Sequence, residues 1–74
     1  MQYNEIINKI NKELESNGVN SLYTLIANDI EINIIKNLMT KNTNTYNALS
    51  KDDQNKLIKY LNGLKQESKL ILNF

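Results

Sequence analysis

The side chains that could carry acid–base or nucleophilic chemistry in this chain are carboxylates, lysines and tyrosines, because the sequence has no histidine and no cysteine. Asp52 and Asp53 are its only adjacent acids, and they follow Ser50 at the spacing of a helix N-cap, which accounts for them. The two glycines stand alone, so the chain has no glycine-rich phosphate loop. We therefore expect a protein that is not an enzyme and that uses no cofactor, metal ion or small-molecule substrate.

The size of the chain sets how it must be stabilised. Its 74 residues fit one domain, residues 1–74, near the length at which a core becomes hard to build. Without cysteine or histidine there is no disulfide and no imidazole metal site, so helix packing must supply the stability. A partner or a second copy of the chain would add to it.

Several features bear on the compartment and the source of the protein. No apolar run approaches the roughly 20 residues that cross a bilayer, and the first residues lack the order of a secretion signal. With no cysteine, these features predict a cytoplasmic protein without a membrane partner. The bias toward asparagine, isoleucine and lysine, with no arginine, points to an AT-rich genome, such as a low-GC bacterium, its phage or its plasmid.

Hydrophobic periodicity predicts a first helix over residues 3–17. Its apolar side chains recur at helical spacing, and asparagine, lysine and glutamate occupy the other face. Gly18 follows the last periodic residue, where a left-handed backbone conformation is easily adopted. The apolar stripe consists of Tyr3, Ile6, Ile7, Ile10 and Leu14.

Two short helices joined by a tight polar turn are predicted next. The first covers about residues 21–28 with Asn20 as its N-cap. Asn28 and Asp29 tolerate turn conformations and separate it from a helix that runs from Glu31 or Ile32 to about Thr40. The buried residues are expected to be Leu22, Leu25, Ile26, Ile30, Ile35 and Leu38, with either Ile34 or Met39.

The remainder of the chain predicts a loop, a last helix and an apolar tail. Residues 40–47 are polar and poor in helix formers, and Tyr46 and Leu49 are expected to hold this loop, through a short helical turn. A last helix follows Ser50, and Gly63 within it marks a close helix contact or an early end. In the tail, residues 69–74, Leu70, Leu72 and Phe74 alternate as on a strand, but Ile71 could also continue the helical stripe of Leu57, Leu61 and Leu64. The whole pattern predicts an all-α protein, a small bundle of four to five helices.

The central segment resembles the Cro/C1-type helix-turn-helix regulators of phages and plasmids. The resemblance lies in the apolar spacing of Val19, Leu25, Ile30, Ile35 and Leu38, with Asn20 as the capping polar residue. In that family an apolar residue and a capping polar residue open the scaffold helix, as Val19 and Asn20 would here. A further apolar residue closes the turn, as Ile30 would. Two more anchor the recognition helix, as Ile35 and Leu38 would. The resemblance covers about residues 6–64, and the helix-turn-helix itself about residues 20–41.

This resemblance implies that the third helix enters the major groove of duplex DNA. Asn33 and Asn37 lie four residues apart on one helix face, and asparagine can pair bidentately with adenine. The residues expected at phosphates are Lys36, Lys41, Thr43 and Asn44, and also Asn20, whose helix N-terminus would present backbone N–H groups.

Other uses of the same surface remain open. The third helix has more isoleucines than one buried stripe needs, so Ile32 or Ile34 is expected to be exposed, where it would suit a protein partner. The chain is then a DNA-binding regulator, a helix-turn-helix protein that grips another regulator as some phage antirepressors do, or a helical inhibitor that docks on an enzyme. Transcriptional regulation is the preferred interpretation, with duplex DNA or a partner regulator bound and a homodimer or heteromer possible.

The charge pattern weakens unaided DNA binding. The formal net charge is +1, whereas a DNA-binding module normally has a clear basic face. Residues 51–74 hold five lysines against three acids. In the first 49 residues, Lys9, Lys12, Lys36 and Lys41 are offset by Glu13, Glu15, Asp29 and Glu31.

Overall fold

Five helices make up the described part of the chain, which in this computed structural model is the backbone of residues 1–72 and the side chains of residues 1–69. They are α1 (Tyr3–Ser16), α2 (Leu22–Ala27), α3 (Ile32–Asn42), α4 (Thr45–Ala48) and α5 (Lys51–Leu72). No strand lies within residues 1–72. The predicted small all-α fold is confirmed.

The core forms where one apolar stripe from each helix meets the others. Helix α1 packs against α2, α3 and α4, and α5 packs against α2 and α3. The stripe predicted for α1 is confirmed, since Ile7, Ile10 and Leu14 are fully buried. The buried apolar residues are Ile7, Ile10, Leu14, Leu22, Leu25, Ile26, Ile35, Met39, Tyr46, Leu57 and Leu61.

Helix α2 begins one residue later than the sequence predicted. Ser21, not Asn20, is the N-cap, and its Oγ accepts the N–H of Thr24 at 3.3 Å. The N–H of Leu22 is bound by Oδ1 of Asn11 in α1, at 2.8 Å. The cap therefore lies one residue after the predicted Asn20, at a serine, which is as good a cap as asparagine.

Helix α3 is longer than predicted, and of the two alternatives for its buried side, Ile34 and Met39, it buries Met39. It continues to Asn42, which shortens the predicted loop to two residues before α4. Ile35 and Met39 are fully buried, whereas Ile34 is 48% exposed. Ile30 and Leu38 are half-buried and pack against the core.

Helix α4 is the short helical turn expected around Tyr46. The Tyr46 ring is buried, and its hydroxyl has no hydrogen-bond partner among the described residues. Burial raises the pKa of this hydroxyl, because the charged form is poorly solvated there. Gln54 donates a hydrogen bond from Nε2 to the Tyr46 carbonyl oxygen at 3.0 Å, which ties α4 to α5.

Helix α5 begins at the predicted cap, since Oγ of Ser50 accepts the N–H of Asp53 at 3.1 Å. Both alternatives predicted for Gly63 are wrong. The helix does not end there but continues to Leu72, and there is no close helix contact, since a Cβ at this position would meet no heavy atom within 4 Å. The strand interpretation is also wrong as far as Leu72, which is helical. How the side chains of residues 70–74 pack lies outside the described residues.

None of the helices described in residues 1–72 is both long and apolar enough to cross a membrane. Within the same part of the chain, no three acidic side chains come together in a group that could hold a metal ion.

The contrast between two adjacent isoleucines tests this arrangement. We expect Ile35→Asp to unfold the domain, because it places a charge in a fully buried position of a small core. Ile34→Asp, at a 48% exposed position, should change the melting temperature by no more than about 4 °C. Thermal melts followed by circular dichroism measure both, and equal melting temperatures for the two variants would contradict the assigned face.

Candidate functional site

The solvent-exposed side of α3 is the candidate site, and we call it the α3 face. At about 100° per residue, its side chains span an arc of roughly 160°. Asn33 and Asn37 lie in the middle of the arc, Lys36 at one edge, and Lys41 and Ile34 at the other. The α3 face consists of Asn33, Ile34, Lys36, Asn37, Thr40 and Lys41, all exposed.

The opposite side of the helix anchors this face to the domain. Ile35 and Met39 are fully buried there. Ile32, the other isoleucine that the sequence offers for the exposed surface, is half-buried and packs against the core. Of the two isoleucines, Ile34 is therefore the one that α3 presents to solvent.

A left-handed residue in the turn fixes where α3 begins. Asp29 has φ of 58°, in the position after the C-cap of α2. The N–H of Asp29 bonds the Ile26 carbonyl at 3.0 Å, and the N–H of Ile30 bonds the Leu25 carbonyl at 3.1 Å. This pair of bonds is the Schellman motif that commonly ends a helix. The sequence prediction of a turn at Asn28 and Asp29 is confirmed.

A lysine from α5 holds this turn in place. Nζ of Lys65 donates a hydrogen bond to the Ile30 carbonyl at 2.8 Å and lies 3.4 Å from the Asp29 carboxylate. Nζ of Lys69 lies 3.6 Å from the same carboxylate. Lys65 is only 8% exposed. The turn that orients α3 is therefore bound to a helix more than 30 residues further along the chain.

Sequence reasoning missed Lys65, although a signal was present. Leu57, Leu61 and Lys65 follow one another at intervals of four residues, so Lys65 continues the buried stripe of α5. A lysine can bury its aliphatic chain while its ammonium group reaches a polar partner.

The other end of α3 is held by side chains from α1. Nδ2 of Asn17 donates to the Asn42 carbonyl at 2.9 Å and to the Glu13 carbonyl at 3.0 Å. Nδ2 of Asn42 in turn donates to the Leu38 carbonyl at 2.9 Å. The turn before α3 is therefore bonded to α5, and the last residue of α3 is bonded to Asn17, the residue that follows α1.

Glu13 closes the connection between α3 and α4. Its Oε1 accepts the N–H of Asn44 at 2.9 Å, and its carboxylate also lies 3.3 Å from the N–H of Thr45. Burial raises the pKa of Glu13, but the hydrogen bonds from Asn44 and Thr45 outweigh it and lower the pKa below its ordinary value. The Asn44 side chain itself is exposed, beyond the end of α3.

Besides Ile32 and Asn44, two more residues predicted at the site do not belong to the α3 face. Thr43 is buried; its hydroxyl donates to the Met39 carbonyl at 2.8 Å and accepts the N–H of Tyr46 at 3.3 Å. It ends α3 rather than reaching a phosphate. Asn20 is exposed, but it precedes the N-cap of α2 and does not cap that helix.

The structure shows which charged groups have partners inside the protein and which are exposed on the α3 face. Between Ile32 and Asn42 the sequence has Lys36 and Lys41 and no acid. Two of the acids counted against the lysines have partners inside the protein: Glu13 binds backbone N–H groups, and Asp29 pairs with lysines of α5. The α3 face is therefore basic locally, although the chain as a whole is nearly neutral.

Four asparagines have a structural role, whereas the two on the α3 face do not. Asn11, Asn17, Asn42 and Asn47 use their side chains to bond backbone groups at helix ends and turns. The side chains of Asn33 and Asn37 bond no other described residue. On the α3 face, the amides are thus available to a ligand.

Comparison with protein-family models, with curated proteins and with solved structures found no match to this chain.

The lysine at the turn gives the second prediction. We expect Lys65→Met to lower the free energy of unfolding by about 1–3 kcal/mol, because it leaves the Ile30 carbonyl without its donor in a buried position. Lys69→Met removes only an ion pair between half-exposed groups and should cost less than about 1 kcal/mol. Urea titrations of the two variants measure the difference; equal losses would show that the buried hydrogen bond contributes nothing beyond an exposed ion pair.

The carboxylate of Glu13 gives a pH-dependent prediction. Because its pKa is lowered in the folded state, its stabilising effect is present above the unfolded pKa and is lost as the pH falls through the folded pKa. We expect Glu13→Gln to lower the melting temperature at pH 7 by several degrees, since about 1 kcal/mol corresponds to about 4–8 °C at this size. The difference from the unsubstituted protein should shrink below about pH 4.

The matched control for this experiment is Glu15→Gln, at an exposed position on the same helix whose carboxylate makes no hydrogen bond or ion pair among the described residues. It should change the melting temperature little at either pH. A Glu13→Gln difference that stays constant from pH 7 to pH 3 would contradict the proposed role of the carboxylate.

Proposed function

We propose that this protein is a small transcriptional regulator of the helix-turn-helix type that binds duplex DNA through the α3 face. The observation that carries the proposal is that face itself. It combines two asparagines whose amides bond no other described residue with a lysine at each edge, on a helix without acids. Base edges and phosphates are the ligands that such a set of groups complements.

In this proposal α3 lies in the major groove. Asn33 and Asn37, in the middle of the arc, meet base edges, while Lys36 and Lys41 at its edges reach the phosphates on the two sides of the groove. The Asn44 side chain, beyond the end of α3, adds a further phosphate contact. The bonds of Lys65 and Asn17 to the two ends of α3 keep the face in a fixed orientation.

A second candidate function rests on the exposed apolar residues. Ile34 is 48% and Tyr23 is 49% exposed, and they are two of the three large apolar side chains most open to solvent among residues 1–69. An apolar side chain in a recognition surface also suits a protein partner. The alternative is therefore a regulator that acts by binding another regulator and not DNA.

The test is binding to a fluorescent pool of random-sequence duplexes, measured across salt concentrations. If each lysine of the α3 face neutralises one phosphate, the slope of log K against log salt should include about −0.9 from each. Lys36→Gln and Lys41→Gln should each reduce the slope by about that amount. An unchanged slope in both variants would place the phosphates elsewhere on the protein.

The asparagine pair gives the sequence-specific part of the test. We expect Asn33→Ala combined with Asn37→Ala to abolish the preference that depends on hydrogen bonds to base edges, among duplexes selected from the pool, while the melting temperature is maintained. The matched control is Asn55→Ala combined with Asn62→Ala, two exposed asparagines of α5. If the α5 pair and the α3 pair have the same effect, α3 is not the reading surface. A stoichiometric protein complex without any affinity for duplexes would support the second candidate.

A further inference from the structure

We propose that the α3 face selects A·T base pairs, with Asn33 and Asn37 reading adenine and Ile34 contacting the methyl group of thymine. The inference rests on the proposed function, because it requires α3 to lie in the major groove. It goes further by stating which base pairs the face can recognise and which it rejects.

The amide chemistry of Asn33 and Asn37 matches adenine. A carboxamide offers one acceptor and an NH₂ donor side by side, and adenine presents N7 as an acceptor next to the N6 donor. Guanine presents two acceptors, N7 and O6, so the amide oxygen would face another oxygen. Cytosine presents a single donor, which leaves the amide NH₂ without a partner.

Ile34 adds a contact that only thymine can satisfy. It is 48% exposed and lies in the first turn of α3, the end from which a recognition helix contacts base edges, whereas Lys41, near the same edge of the arc, lies seven residues further toward the other end. In the major groove the only apolar group on a standard base is the C5 methyl of thymine. Next to cytosine, the exposed isoleucine would remain against a polar edge.

Spacing and composition also agree with A·T selection. Asn33 and Asn37 are separated by about 6 Å along the helix, close to two base-pair steps of about 3.4 Å each. The chain has no arginine, the usual bidentate reader of guanine. Lys36 and Lys41 lie at the two edges of the arc, away from its centre. The expected target therefore has two A·T pairs about two steps apart.

The experiment begins with selection from a pool of duplexes with a random core, at a salt concentration of about 50 mM, using the full chain. The recovered duplexes should be enriched in A·T pairs at two positions about two steps apart. Chemical substitution then separates base contacts from effects of DNA shape. Replacing adenine by 7-deazaadenine removes N7 and should weaken binding about fivefold or more. Replacing thymine by uracil removes the methyl group and should weaken it about fourfold.

The protein variants assign each effect to a side chain. Binding by the Ile34→Ala variant should be insensitive to the change from thymine to uracil but should still depend on N7 of adenine. Binding by the Asn33→Ala and Asn37→Ala double variant should no longer depend on N7 of adenine but should still weaken when thymine is replaced by uracil. The Asn55→Ala and Asn62→Ala control should behave as the unsubstituted protein does.

The possible failures are distinguishable. Salt-dependent binding without base preference, with a G·C preference, or with full tolerance of uracil and 7-deazaadenine would overturn the A·T inference while the proposed function stands. No duplex binding at low salt would overturn both.

Discussion

The placement of α3 against the core, through the buried Ile35 and Met39 and a hydrogen bond from Lys65 to the Ile30 carbonyl, is the constraint on which the candidate site depends. The hydrogen bond is 2.8 Å long, is made by a lysine that is only 8% exposed, and joins the last helix to the turn between α2 and α3. A left-handed Asp29 and two backbone bonds shape the turn, but they do not fix it relative to the rest of the domain. The buried side chains of α3 and the lysine fix it together, since the lysine bonds the carbonyl just before α3 and pairs with the carboxylate of the turn.

The domain closes its other helix ends with side-chain hydrogen bonds in the same way. Asn17 bonds the end of α3, Glu13 bonds the start of α4, and Ser50 caps α5. A chain of this length without disulfides has a small core, so each unpaired backbone group would cost an appreciable part of its stability. Several of the asparagines and other polar residues therefore stabilise the fold, although the high asparagine content itself reflects the composition bias of the sequence.

The polar residues of the protein differ in whether they have hydrogen-bond or ion-pair partners inside it. Glu13, Asp29, Thr43 and four asparagines have partners inside the protein, and they contribute to the fold. Asn33, Lys36, Asn37 and Lys41 are exposed on one side of a helix that is anchored at both ends. Because the rigid scaffold presents them in a fixed arrangement, they are the residues best suited to recognition.

The amino-acid sequence by itself determined the fold class, the helical stripes of α1 and α5, the turn at Asn28 and Asp29, and the glycine at the end of α1. These depend on periodicity and on local backbone preferences, which act between residues close in the chain. The tertiary structure alone decided that Met39 rather than Ile34 is buried, that Thr43 is internal, and that the Lys65 ammonium group reaches the Ile30 carbonyl. A stripe predicted from periodicity is uncertain by one residue at its edges, and only the direction of the neighbouring helices decides which residue is covered. The bonds Asn17–Asn42, Glu13–Asn44 and Lys65–Ile30 join residues 25 to 35 apart, and no local pattern encodes them.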